Sequence, residues 1–220
     1  MMQISVSDAM KLKVPDLVLS CIKCDVEVHS DTEQLWEEID SKTLELKSKY
    51  QLEQISSIPA IAASRVAYKA CGKDPARYRL SAEALIRRVV QGKGLYCLNN
   101  IVDLLNLISI STGYSIGGYD ADKIKGDVEF GIGKKDEPYN GIGRGNLNIE
   151  NLPVFRDGVG AFGTPTSDSE RTAVTVNTLT FLMVIINFGK ADKLDDTTQQ
   201  AVRLLKQYGG GKNFNVWQVN

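Results

Sequence analysis

Residues 99–120 run NNIVDLLNLISISTGYSIGGYD, a helical pattern followed at once by a glycine-rich segment. Ile101, Leu104, Leu105 and Ile108 recur at the helical period and predict a helix with one buried stripe. Asn100 is expected to cap its first turn and Gly113 to end its last. Asp103 and Asn106 stand three apart, so they share a second, polar face of the same helix. Ser115, Ile116, Gly117, Gly118, Tyr119 and Asp120 follow at once. They are expected as an open glycine turn whose backbone a ligand can approach closely.

Working outward toward the N-terminus, residues 78–98 hold a shorter helix expected to be capped by Ser81. It has Leu85 and Val89 inward and Arg87 and Arg88 near its C-terminal end. Cations there suit the helix dipole as well as they would suit a ligand. Before it, Pro59 is expected to open a helix over 60–70 that stops near Gly72. Earlier still, Ser30 and Glu33 have capping-box spacing ahead of a helix carrying Leu35, Ile39, Leu46 and Tyr50. Residues 17–28 read as a strand.

Toward the C-terminus, residues 127–163 are dense in glycine and predict short strands over 128–132, 139–142 and 154–156. Residues 173–176 and 180–187 predict longer, buried strands. A helix over 197–208 with Ala201, Leu204, Leu205 and Tyr208 inward is stopped by Gly209, and residues 214–219 close the chain as a strand. The mixed order of helices and strands predicts an α+β fold with mixed β-sheets packed against helices. The chain is expected to be one domain, 1–220. It divides into a strand-helix-helix part over 1–77, a motif-bearing core over 78–188, and a C-terminal helix and strand over 189–220.

Composition narrows the function. A net charge of -1 argues against gripping long stretches of nucleic acid, DNA included, by phosphate neutralisation. It does not exclude a site that takes only the end of a nucleic acid, where few phosphates need contact. The start lacks an uninterrupted apolar core of the secretory kind. The longest apolar run, 181–186, is far too short to span a bilayer. Cys21, Cys24, Cys71 and Cys97 read as reduced thiols of a cytoplasmic protein. Cys21 and Cys24 lie in a strand, where residues three apart face opposite ways, so they are not expected to share a zinc ion. His29 is the sole histidine, which removes any site needing two imidazoles. Gly209-Gly210-Gly211-Lys212 follows a helix and precedes a strand, the reverse of a phosphate loop. Gly141-Ile142-Gly143-Arg144-Gly145 opens no helix and is expected as a hairpin turn.

Residues 99–120 resemble the B3/B4 domain of the β subunit of bacterial phenylalanyl-tRNA synthetase, and resemble still more closely the stand-alone proteins built on that domain. Asn99, Asn100, Val102, Asp103, Asn106, Gly113 and Asp120 carry the resemblance, with Tyr119 in the place of a phenylalanine. Asp122, Lys123 and Ile124 continue it. A second block, 158–172, is similar to the stand-alone branch in its glycines and its Ser-Asp-Ser-x-Arg-Thr run. The synthetase pattern carries a histidine where this chain has Gly117; the stand-alone branch tends to have glycine.

The resemblance implies the same α+β fold. It also implies binding of the aminoacylated 3′ end of tRNA and hydrolysis, in trans, of a misattached amino acid. It implies no metal and no organic cofactor. An aminoacyl ester is already activated, so a positioned water, amide donors and polar side chains suffice. Asn106, Asp120 and Asp168 are the expected catalytic residues. Asn100, Gly117, Gly118, Glu170, Arg171 and Thr172 are expected to bind substrate. Asp168, Arg171 and Thr172 read equally as an exposed loop or as one wall of a pocket facing Asn106. In the second case Gly158, Gly160 and Gly163 would present amides to a ligand. Two other readings stand beside this one: a binding module without catalysis, and a thiol enzyme using Cys97, against which stands the commoner fate of burial.

Overall fold

The structure is a computed structural model that describes residues 2–189 and 192–220. Its elements in chain order are β1 (Ile4–Val6), α1 (Asp8–Lys13), β2 (Val18–Asp25), α2 (Glu33–Lys49), α3 (Pro59–Cys71), α4 (Ser81–Val90), α5 (Asn100–Thr112) and β3 (Ser115–Asp120). There follow β4 (Val128–Ile132), β5 (Asn140–Gly141), β6 (Gly145–Asn146), β7 (Pro153–Arg156), β8 (Ala161–Gly163), β9 (Thr180–Asn187), α6 (Leu194–Tyr208) and β10 (Lys212–Val219). Mixed sheets packed with helices are the α+β arrangement expected from the sequence.

One sheet runs β10-β2-β9-β3, antiparallel throughout. Its centre is the run TFLMVIIN of β9, apolar without alternation because both faces are covered. Leu182, Val184 and Ile186 face a core shared with the second sheet, β1-β4-β7-β8. Phe181, Met183 and Ile185 face a core shared with α2, α5 and α6. The same alternation separates the two cysteines of β2: Cys21 joins the first core and Cys24 the second. Burial pushes each thiol up to about 12. Because β2 lies between β9 and β10, the N-terminal third is woven into the same sheet as the C-terminal strand.

Several local expectations are corrected. Asn99, not Asn100, caps α5, its side chain accepting from the Val102 amide at 2.9 Å. Ser30 does not cap α2, which starts at Glu33 after Thr32 without a side-chain cap. Leu80, not Ser81, stands at the N-cap of α4. The expected strand over 173–176 is irregular chain. β1 and α1, unforeseen, precede β2; Ser7 caps α1 by accepting from the Met10 amide. Gly113 ends α5 as predicted, with φ +80°, and a Cβ there would meet Ile58 Cγ2 at 2.9 Å. β5 and β6 form the hairpin expected around Ile142 to Arg144.

Candidate functional site

The 115–120 segment is a strand, not an open turn. Its residues pair one for one with β9, from Ser115 opposite Ile186 to Asp120 opposite Phe181. The close approach that Gly117 permits is made by the protein itself. A Cβ on Gly117 would lie 2.5 Å from Tyr119 Cζ, and one on Gly163 2.7 Å from the same atom. The two glycines thus make the slot for a fully buried tyrosine. Its ring meets Phe162 edge-on at 5.0 Å between centroids. Gly118 is half-buried, and Leu105 and Phe181 pack over its Cα.

Tyr119 delivers its hydroxyl to the one expected catalytic carboxylate that lies against β3. It donates to Asp168 Oδ1 at 3.0 Å. The backbone amides of Gly118 and Thr164 also face that carboxylate. β3 is an edge strand, so the Gly118 amide would otherwise be an orphan donor. Burial pushes the Asp168 acid up to about 7, the three donors opposing it. Nearby, Tyr139 donates to the Ser167 carbonyl at 2.6 Å and the Thr164 hydroxyl to the same oxygen at 2.9 Å, which fixes the loop carrying Asp168.

Asn106 sits within α5 next to Leu105, half-buried, and its side chain makes no hydrogen bond among the described residues. Asp103, its partner on the predicted polar face, is buried instead. It accepts from Trp36 Nε1 at 2.8 Å and the Leu98 amide at 3.1 Å. Burial raises its pKa and these bonds oppose the rise.

The other expected site residues are spread more widely. Asp120 is buried; it accepts from the Asp122 amide at 3.2 Å and Thr178 Oγ1 at 2.9 Å, and pairs with Lys123 at 3.3 Å. Asn100 sits at the opposite end of α5 from β3. It accepts from the His29 amide and donates to the carbonyls of Glu27 and Tyr208, at 2.8–2.9 Å. There it lines a cleft of about 310 Å³ with His29, Thr32, Gln207 and Tyr208. Glu170 is exposed and accepts from Asn140 at 2.8 Å. Arg171 forks onto Asp157 at 2.8 and 3.0 Å. Thr172 is fully buried against the Phe162 carbonyl. So the single wall of Asp168, Arg171 and Thr172 does not form: Asp168 joins β3, and Arg171 joins Asp157.

The glycine amides expected to meet a ligand are also taken, Gly158 by the Lys125 carbonyl and Gly160 by Asp157. Cys97, expected to be buried, is exposed, with Thr32 Oγ1 3.5 Å from its sulfur. Among the described residues no cluster of three His, Cys, Asp or Glu side chains could hold a metal ion, and no helix is long and apolar enough to cross a membrane.

Sequence reasoning missed Tyr119 and Asp157. The signal for Tyr119 was present: it stands where the pattern has phenylalanine, and a buried extra hydroxyl demands a partner.

Comparison with known proteins bears on the fold and the family. In a crystal structure of an N-terminal fragment of the phenylalanyl-tRNA synthetase β subunit from Pyrococcus horikoshii, the fold recurs with a TM-score of 0.51 and 16% identity. The alignment covers 99% of this chain and 50% of that fragment, so the chain spans about half its length. Among curated protein sequences none matches the chain. The model of the B3/4 domain matches residues 63–209, well over half of the 220. Those residues include α4, α5, β3 and the loop that carries Asp168, and the chain belongs to the B3/4 domain family.

Proposed function

We propose that the chain binds the aminoacylated 3′ end of a tRNA and hydrolyses a misattached amino acid in trans. Family membership supplies the tRNA-related setting. The observation that carries the chemistry is Asp168, a carboxylate poised near pH 7 between the Tyr119 hydroxyl and the Gly118 amide. A base with that proton affinity is suited to neutral pH. In the reaction, water adds to the ester carbonyl carbon and gives its proton to Asp168. The bond to the ribose oxygen then breaks, that oxygen takes the proton back, and the free amino acid leaves. Asn106 has a carboxamide with unspent donors and acceptors, and it orients the aminoacyl group. Gly117 and Gly118 act indirectly: Gly117 makes room for the Tyr119 ring that reaches Asp168, and the Gly118 amide faces the same carboxylate. Glu170 reaches the α-ammonium from the exposed rim. Asp120, Asn100, Arg171 and Thr172 spend their polar atoms on the protein, and in this reading they hold the frame.

A panel of mischarged tRNAs tests this. The expected result is deacylation above the spontaneous rate for at least one, reduced by about 10²–10⁴-fold in Asp168→Asn. Asn106→Ala is expected to raise KM more than it lowers kcat. No turnover on any member of the panel overturns the proposal. The second reading, a module that binds the tRNA end without reacting, draws on the internal bonding of Asp120, Arg171 and Thr172. Tight binding of uncharged and charged tRNA alike, with no turnover, selects it.

A further inference from the structure

Residues 59–94 carry eight Lys and Arg side chains against two acids, Asp74 and Glu83, in a chain whose total charge is -1. The rest of the chain is therefore net acidic. Folding concentrates the basic segment further. Glu83 is 1% exposed and accepts from Arg65 Nη1 and Arg87 Nε, each at 2.9 Å, with Arg79 Nε at 3.8 Å. One carboxylate cannot neutralise three guanidiniums, so the cluster keeps an excess of two positive charges. Arg77 and Arg79 are exposed at the N-terminal end of α4, and Lys93 is exposed just past its C-terminal end. At that second end Arg88 lies over the ring of Tyr96, its guanidinium carbon 4.0 Å from the centroid. Tyr96 is 63% exposed. The Nε of Arg88 is buried with no hydrogen-bond partner among the described residues.

Guanidiniums in surplus match phosphates, and an exposed aromatic ring matches an unpaired base. The geometry points to the outer face of α4 as the surface on which RNA docks. The cluster around Glu83, with Arg77, meets successive phosphates, and Tyr96 stacks a base of a single-stranded end. The acidic remainder of the chain repels RNA elsewhere and so orients it. This inference rests on the tRNA-end reading above. The N-terminal end of α4, beside the basic cluster, is tied to the loop of the candidate site: the Ser81 amide donates to the Pro165 carbonyl at 2.8 Å, three residues before Asp168.

The test uses the whole chain and two fluorescent RNA hairpins with the same stem, one blunt and one ending in single-stranded CCA. Binding to both is expected to weaken linearly with the logarithm of salt concentration. In R77A/R79A/K93A the slope should shrink by about two, since each phosphate contact contributes about 0.7–0.9. Tyr96→Ala should weaken the tailed hairpin by about 5–100-fold and leave the blunt one nearly unchanged. Lys47→Ala, an exposed lysine on α2, should change neither. The three basic side chains removed are exposed, and an unchanged melting temperature confirms the fold. If the wild type binds RNA and the triple variant binds it with the same slope, the docking surface is wrong and the tRNA reading stands. If the wild type binds neither hairpin, both fail. Tighter binding to poly-glutamate than to either RNA overturns the RNA surface in favour of an acidic protein partner.

Discussion

Asp157 and Asp168 stand at the two ends of one glycine-rich block, and the fold treats them oppositely. The Asp157 side chain is fully enclosed. It takes a two-pronged bond from Arg171 and further bonds from the amides of Lys125, Val159 and Gly160. Burial works to raise its pKa, but Arg171 and the amides outweigh it and hold the acid below its usual range. Asp168 has donors too, but all are neutral, and burial wins. In this fold the aspartate held below its usual range is the one with a full positive charge beside it, and the one with neutral donors alone is raised. The first aspartate is held below the usual carboxylate range, and the second is pushed up to about 7.

The sharpest way to break this contrast is to take the cation away. Arg171→Ala leaves Asp157 enclosed and unpaired. It should destabilise the protein by about 2–3 kcal/mol, below the usual cost for a fully buried pair because Arg171 is partly exposed. Urea unfolding at pH 7 measures it, and a loss under 0.5 kcal/mol would mean that the amides alone suffice.

The next effect is in pH. The folded-state pKa of Asp168 is raised from 3.8 to about 7, so between those values the native state holds the proton more tightly than the unfolded chain. Stability from this group is therefore full below about pH 4 and is lost as pH rises toward about 7, by roughly 2 kcal/mol or more. Asp157 has the reverse sign: its contribution is present above the unfolded pKa and is lost as acid reprotonates it. Asp168→Asn should flatten the decline between about pH 4 and 7 while leaving the acid limb of Asp157. An unchanged profile in calorimetric melts would sink the assignment.

The slot of Tyr119 sets the third. Gly117→Ala forces a methyl into an enclosed ring that also touches Gly163, at a cost of about 1–3 kcal/mol. At Gly118 the nearest atom is the end of the Leu105 side chain, which can rotate, so Gly118→Ala should cost less. Melting temperatures of the two variants decide, and equal losses would contradict the geometry. The smallest effect sharpens the contrast directly. Tyr119→Phe removes one neutral donor, costs about 1 kcal/mol, and should raise the Asp168 pKa further. Carboxyl carbon shifts followed by NMR titration would show it; a fall in that pKa would refute the bonding scheme.

Much of this was legible in residue order. The period of Ile101, Leu104 and Ile108, and the glycine after Thr112, report α5 because helical burial and a left-handed cap are local requirements. β9 is found at the predicted residues, since a strand covered on both faces must be apolar along its length; β4 is found at its predicted residues too, with Glu129 turned outward between buried Val128 and Phe130. The facing of Cys21 and Cys24 follows from the strand period alone. The candidate site is less legible: residue order marks Asn106, Asp168, Asn100 and Arg171 alike, and it does not tell that the polar atoms of Asn100 and Arg171 are consumed by the protein.

What tertiary structure alone decided is which group meets which. Glycine at 117 and 118 suggested an open turn, because nothing near in the chain tells that β9 will pair with this segment and that Tyr119 will fill the gap. Arg171 looked equally suited to a ligand until Asp157 claimed it, and the surplus of guanidiniums around Glu83 exists only once α3 and α4 are packed together. Local order determines the period, the caps and the buried faces; partners far apart in the chain determine where charge is neutralised, and therefore where it is left to act.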